Sequence, residues 1–179
     1  PRSRGLGDVY KRQAIIVLFS IVIPAQAAIQ IYNFNGVMDS GSYSGELFSG
    51  SFSFDDATVD TSGLDIANLL SFDMSFLSTN YSLVNTTDYP TIMPDVSFLD
   101  GSFLGLSLSI DSITPQVGFS FVPGTVDASD AFIAYDTTLL GSSGGGNVIY
   151  APIPEVETYA MLLAGLGVMG AVARRRKST

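Results

Sequence analysis

The sequence predicts an all-β exported domain, a jelly-roll-like β-sandwich, followed by a single C-terminal transmembrane helix. Two patterns support this prediction. Large apolar residues alternate with small polar ones at a period of two, which gives each strand one buried and one solvated face. Near the C-terminus, the 15 residues 159–173 contain no charged residue and are followed by a basic cluster.

The alternation is clearest in residues 48–54, 70–76 and 104–110, where the large apolar residues occupy even-numbered positions. Shorter candidate strands cover residues 29–34, 81–84, 96–99, 117–121, 131–135 and 148–150. About nine short strands separated by Gly, Asp, Asn and Pro turns favour a β-sandwich. The strands of an outer-membrane β-barrel also alternate, but they need about 9–11 residues, and most of these segments are shorter.

Two segments of the domain, which spans residues 28–150, fit the strand pattern less well. Residues 64–70 fit one helical turn that leads into a strand. The glycine-rich residues 141–146 fit either a flexible linker or the tip of a loose hairpin.

The distribution of charge limits what the domain can bind. All eight Lys and Arg lie at positions 2, 4, 11, 12 and 174–177 of the 179 residues. Residues 28–153 carry thirteen Asp and Glu46 without any Lys or Arg, a formal charge of −14. This charge repels phosphate backbones, so nucleic acid is not expected as a partner. The chain has no Cys, so stability cannot come from a disulfide or a thiolate metal site.

No enzymatic activity is expected from this composition. Residues 28–153 contain no His, Cys, Lys or Arg, so a serine hydroxyl would lack the usual general bases. Hydrolysis by two carboxylates stays chemically open, but no spacing singles out such a pair. No catalytic residue is therefore predicted.

The densest acidic stretch is a weak candidate for Ca²⁺, and no other cofactor is expected. It contains Asp55, Asp56, Asp60 and Asp65, whose oxygen atoms are the ligand type that Ca²⁺ prefers. The spacing differs from that of an EF-hand. The alternative is that these residues mark turns, since an Asp side chain accepts hydrogen bonds from backbone N–H groups nearby.

The first 27 residues have the parts of a secretory signal peptide. Lys11 and Arg12 precede the apolar residues 14–23, and Ala25 and Ala27 form an Ala-x-Ala cleavage pattern. Cleavage is expected after Ala27. Residues 1–13 resemble translated adaptor sequence.

The C-terminal region divides into a linker over residues 151–158, the apolar residues 159–173 and a basic tail over residues 174–179. As a helix, 15 residues span about 22 Å, less than the roughly 30 Å of a hydrocarbon core. Such a helix would need snorkelling arginines, a thinner bilayer or only a temporary stay in the membrane. The tail is expected to stay in the cytoplasm, which places the β domain outside. Its basic residues are Arg174, Arg175, Arg176 and Lys177.

This arrangement resembles the PEP-CTERM sorting tail of Gram-negative, exopolysaccharide-producing bacteria. Pro154 and Glu155 match the first two motif positions, whereas Val156 stands where the family has a second proline. The resemblance implies that exosortase, a membrane-embedded protease, cleaves the tail and releases or transfers the protein. The expected locations are then the cell surface, the outer membrane or the extracellular space. A eukaryotic lipid-anchor signal is the alternative, but such signals normally end with apolar residues.

Two functions of different classes are predicted for the β domain. The first is a structural or interaction protein of the cell surface or extracellular matrix, associated with biofilm or exopolysaccharide. The second is a carbohydrate-binding module. Since the chain has no Trp, its aromatic platform would come from Tyr43, Tyr81 or Tyr89.

Overall fold

The computed structural model describes residues 29–113, 117–137, 142–154 and 156–176. These residues form nine antiparallel strands, three short 3-10 turns and one helix. The strands are β1 Ile29–Met38, β2 Leu47–Asp55, β3 Leu64–Phe76, β4 Thr79–Ser82, β5 Asp95–Leu99, β6 Ser102–Ile110, β7 Gly118–Val122, β8 Phe132–Thr137 and β9 Ser142–Pro152. The 3-10 turns are Asp56–Thr58, Leu83–Asn85 and Ala128–Asp130, and the helix α1 is Val156–Arg176.

Eight of the strands form one closed barrel. Their order is β2-β1-β9-β8-β7-β6-β5-β3, and β3 pairs again with β2 to close the ring. The ninth strand, β4, pairs with the end of β3, where Phe76 lies opposite Thr79. An eight-stranded barrel has an interior just wide enough for side chains to fill it.

The predicted jelly-roll-like β-sandwich is therefore wrong, although the all-β class is right. A sandwich consists of two sheets packed face to face, whereas here one hydrogen-bonded sheet closes on itself. Alternating side chains bury one face of each strand in either architecture. The sequence pattern therefore predicts strands with a buried face but does not indicate which strands pair.

Closure depends on β3, which changes partner along its length. Its first part pairs with β5, from Leu64 opposite Leu99 to Asn68 opposite Asp95. Its second part pairs with β2, and the register shifts at Phe54, which lies opposite Leu69. The helical turn expected over residues 64–70 is absent, since this segment belongs to β3.

Aromatic side chains from opposite walls meet inside the barrel. The Phe34 ring stacks on Phe72 with centroids 5.9 Å apart and meets Phe121 edge-on at 5.4 Å. Phe52 is fully buried and lies 5.9 Å from the Tyr150 ring in an edge-on contact. The core is thus an aromatic cluster shared by β1, β2, β3, β7 and β9.

Two phenylalanine–glycine pairs allow β1 and β2 to curve around this cluster. Phe34 lies opposite Gly50, and Gly36 lies opposite Phe48. A Cβ atom at either glycine would collide with the ring of its paired phenylalanine. Glycine in a strand commonly marks such a bend or close approach.

The glycine-rich segment is mostly strand and not a linker. Residues 142–146 belong to β9, whereas Gly141 lies outside the described residues. The Asp39 N–H donates to the Gly145 carbonyl at 2.8 Å, and the Gly145 N–H donates to Ser40 Oγ at 3.0 Å. The glycines let the chain after β1 lie directly against β9.

Residues Val156–Arg176 form the helix α1, but the prediction of a transmembrane helix is wrong. Among the described residues, no helix combines the length and the apolar character that crossing a membrane requires. The apolar part of α1 is residues 159–173, about 22 Å of helix against the roughly 30 Å of a bilayer core.

Candidate functional site

The junction between the barrel and α1 is short, and it follows directly from β9, a strand of the barrel wall. Pro152 is the last residue of β9 and lies opposite Tyr32 of β1. The next residue remains attached, because the Ile153 N–H donates to the Ile31 carbonyl at 2.8 Å. Since α1 begins at Val156, three residues separate the last strand of the barrel from the helix.

The residues at this end of β9 differ in their burial and in their contacts with the barrel. Ala151, Pro152 and Ile153 are exposed, Ile153 by 41%. Tyr150 points into the barrel, where its ring lies 5.2 Å from Phe103. Its hydroxyl oxygen accepts a hydrogen bond from the Leu106 N–H at 3.1 Å. Burial raises the pKa of Tyr150, whereas this hydrogen bond opposes the rise.

The predicted sorting residues fall into three groups. Pro154 is exposed, and Val156 is the first residue of α1. Arg174, Arg175 and Arg176 form the last turn of α1, and Arg174 is exposed. The others lie outside the described residues, namely Glu155, Lys177 and the signal-cleavage residues Ala25 and Ala27.

The helix α1 exposes large apolar side chains along its length. They are Tyr159, Met161, Leu162, Leu163, Leu166 and Met169, each at least 53% exposed. Among the described residues, nothing lies within 4 Å of a Cβ atom added at Gly165, Gly167 or Gly170. The helix therefore offers a bare apolar surface with small residues at its centre.

The Asp residues of the weak calcium candidate make turn contacts. Asp55 accepts the Ala57 N–H at 2.9 Å and caps a 3-10 turn. Asp65 accepts the N–H groups of Asp60 at 2.7 Å and Ile66 at 2.8 Å, which holds the pKa of its carboxyl below the ordinary value. Asp56 accepts a hydrogen bond from the Gln30 amide at 2.9 Å. Within the described part of the chain, no three His, Cys, Asp or Glu residues are grouped to hold a metal ion.

We expect excess chelator to leave the melting temperature of the purified barrel unchanged. The carboxylates of Asp55 and Asp65 are already satisfied by backbone N–H groups and do not need a cation to be stable. Thermal melts with EDTA, with added Ca²⁺ and with neither test this. A chelator-induced fall in melting temperature that Ca²⁺ reverses would establish a bound ion.

The tyrosines expected to form a sugar platform do not form one. Tyr81 is 2% exposed, and its ring packs edge-on against Phe119 at 5.2 Å. Tyr43 packs on Phe76 at 5.4 Å, and Tyr89 is half-buried. The geometry therefore offers no row of exposed rings at these three positions.

A polar groove of about 610 Å³ crosses the outer wall at β1, β2, β3 and β4. Two rows of outward side chains border it. One row joins Asn33, Ser51 and Asp73, and the next contains Asn35, Ser49, Ser75 and Asn80. Sequence reasoning missed this groove, although the outward positions of the alternating strands indicate it. Its chemistry is that of amides and hydroxyls with a single carboxylate.

A second groove, of about 440 Å³, contains a carboxyl group in an unfavourable position. It lies between residues 86–95 and strands β6 and β7. Within the described residues, Asp95 Oδ1 is inaccessible to solvent and has no hydrogen-bond partner. Burial raises the pKa of Asp95, and a hydrogen bond with the Ser107 side chain opposes the rise.

Asp95 is therefore expected to make stability depend on pH. Because its pKa is raised on folding, the folded state binds the proton more tightly than the unfolded state. At pH values above the pKa of Asp95 in the folded state, its ionised carboxylate lowers the free energy of unfolding. This loss disappears below its pKa in the unfolded state, about 3.9.

We expect Asp95→Asn to raise the free energy of unfolding at pH 7 by about 1 kcal/mol, because the amide carries no charge for burial to desolvate. The difference from the wild type should shrink as the pH falls to about 4, near the unfolded pKa. Urea unfolding at several pH values measures it. The control is Asp88→Asn, since Asp88 is exposed and Asn tolerates its positive φ of 61°. If Asp95→Asn raised the free energy of unfolding equally at every pH, or lowered it, the raised pKa of Asp95 would be contradicted.

Comparison with known proteins identifies the tail. Residues 152–177 match the family described as the PEP-CTERM protein-sorting motif. No curated protein and no solved structure matches the chain. The match starts at the last residue of β9 and includes all of α1. It implies an exported protein that is sorted to the cell envelope and processed by exosortase. The chain thus carries a PEP-CTERM protein-sorting motif over residues 152–177, attached directly to a closed β-barrel.

Proposed function

We propose that the chain is a non-enzymatic structural or interaction protein of the cell surface or extracellular matrix, associated with biofilm or exopolysaccharide. The observation that carries this proposal is the sorting motif joined directly to an eight-stranded barrel that packs its own core. Residues 28–153 also contain no His, Cys, Lys or Arg, which removes the common nucleophile–base pairs. The barrel is then the product that the sorting tail delivers.

The test is where the barrel resides in a host that contains exosortase. The full chain should be accessible on intact cells or in the matrix to an antibody against the barrel. A chain that lacks residues 154–179 but keeps the signal peptide should be exported without reaching that location. Equal distribution of the two chains would refute delivery by the tail.

The alternative is a carbohydrate-binding module, and the outer-wall groove is the observation that favours it. Amide and hydroxyl side chains on neighbouring strands suit a neutral, hydroxyl-rich ligand, because they both donate and accept hydrogen bonds. The groove has no aromatic platform, so binding would rest on Asn33, Asn35 and Asn80 together with the nearby serines.

A glycan array with the purified barrel separates the two proposals. Saturable binding that Asn35→Ala abolishes would support the module. The matched control is Asn68→Ala, because Asn68 is exposed on β3 but does not border the groove. If the barrel bound no glycan on the array, the structural role would be supported.

A further inference from the structure

The sorting motif and the barrel overlap. The matched motif starts at Pro152, which is still paired with Tyr32 in the barrel wall. Ile153 is also attached, through its N–H bond to the Ile31 carbonyl at 2.8 Å. The first part of the sorting signal is therefore held by the folded domain.

A protease that cuts near Pro154 needs extended chain on both sides of the bond. Pro154 favours an extended conformation in the residue before it, Ile153. On one side α1 begins at Val156, and on the other β9 continues to Pro152. Three residues lie between the end of β9 and the start of α1. Extended chain on the N-terminal side of the bond therefore has to come from β9.

The structure indicates how much of β9 can separate. Ala151, Pro152 and Ile153 are exposed and leave no apolar side chain to be pulled from the core. Hydrogen-bonded and non-hydrogen-bonded pairs alternate in an antiparallel ladder, so Ile31–Ile153 and Asn33–Ala151 are the bonded pairs. Pro152 lies between them and has no N–H to lose. Separation stops at Tyr150, whose ring is packed in the core.

We propose that residues Ala151–Ile153 separate from β1 before the sorting protease binds, so that the closure of the barrel at this end controls the rate of processing. This inference rests on the proposed processing by exosortase and adds its regulation. Local openings of this kind are the low-energy fluctuations of a folded protein. Ala151 and the first two residues of the matched motif are then the part of the substrate that the barrel holds.

A reversible covalent lock tests the proposal. Asn33 and Ala151 are exposed and lie directly opposite each other. Such a pair has Cα atoms about 5.5 Å apart, within disulfide range. The wild type has no Cys, so Asn33→Cys with Ala151→Cys gives one defined bridge. Purified full chain would be oxidised, or reduced and alkylated, before it is added to membranes that contain exosortase.

We expect the oxidised double variant to be processed at least about tenfold more slowly than its alkylated form, because the bridge prevents local opening. The matched control is Ser109→Cys with Ser120→Cys, a directly opposite pair on β6 and β7. A disulfide between β6 and β7 stabilises the barrel but does not tie β9 to β1. The rate of processing should therefore stay within about twofold of the wild-type rate. Equal rates for the oxidised and alkylated Asn33/Ala151 variant would overturn the inference alone.

A spacer supplies a second measurement that does not depend on the lock. Inserting Gly-Ser-Gly-Ser between Ile153 and Pro154 provides extended chain without opening β9, so processing should accelerate several-fold. An unchanged rate would contradict control by the barrel. A wild-type chain that exosortase does not process at all would overturn the proposed function and this inference with it.

Discussion

A chain that ends at Ile153 is expected to fold as stably as the full chain, whereas a chain that ends at Thr137 should not fold. The first keeps β9 and its bonds to β1 and β8, including the Ile153 N–H bond to Ile31. The second loses β9 and exposes the edges of both neighbours, which opens the barrel.

Both chains would start at Ala28 and be compared by circular dichroism and urea unfolding. We expect the free energy of unfolding of the chain ending at Ile153 to lie within about 1 kcal/mol of that of the full chain, because the α1 side chains that the structure describes are exposed and add little to global stability. The chain ending at Thr137 should show no cooperative transition. Two results would show that the boundary between barrel and tail is elsewhere. One is a cooperative transition in the chain ending at Thr137, and the other is a large loss of free energy of unfolding in the chain ending at Ile153.

Replacing Phe52 with alanine is expected to lower the free energy of unfolding by about 3–5 kcal/mol, the usual cost of a buried phenylalanine. Phe52 is 0% exposed, and its ring stacks on Tyr32 at 5.5 Å. It also meets Tyr150 edge-on, so its loss would leave a cavity between β2 and β9. Urea unfolding measures the loss.

The matched control is Phe132→Ala, since Phe132 is 43% exposed on the outer face of β8. The same atoms are removed there without a core cavity, so the loss should stay below about 1.5 kcal/mol. Equal losses of free energy of unfolding for Phe52→Ala and Phe132→Ala would contradict the placement of Phe52 in an aromatic core.

The strands and their buried faces could be predicted from the sequence, but their partners could not. The alternation in residues 104–110 correctly predicts that Leu106 and Leu108 point inward. Closure of the barrel depends on the pairing of β2 with β3, which joins segments whose local patterns fit a sandwich equally well. Within the all-β domain, the predicted fold was wrong because the strand partners differ.

One irregularity explains why the start of β3 was misread. Ala67 and Leu69 are buried at odd positions, whereas Phe72 and Met74 are buried at even ones. The register shift where Phe54 pairs with Leu69 causes this change of phase, because a bulge inserts one extra residue into a strand. A broken alternation is indistinguishable from a helical turn when the partner strand is unknown.

The sorting tail was recognised from its sequence because its parts are contiguous, namely a Pro-Glu pair, an apolar stretch and a basic cluster. Its attachment to the barrel was not predicted. The sequence predicts a linker over residues 151–158, because the last candidate strand ends at residue 150. The structure includes Pro152 in β9 because its missing N–H is not required at a non-bonded position of the ladder.

Sorting through the tail can be tested by determining the C-terminal residue of the mature protein, by mass spectrometry of material from hosts with and without exosortase. Sorting through the tail predicts a chain that ends near Pro154 only when exosortase is present. Recovery of Arg174 to Lys177 from both hosts would contradict it.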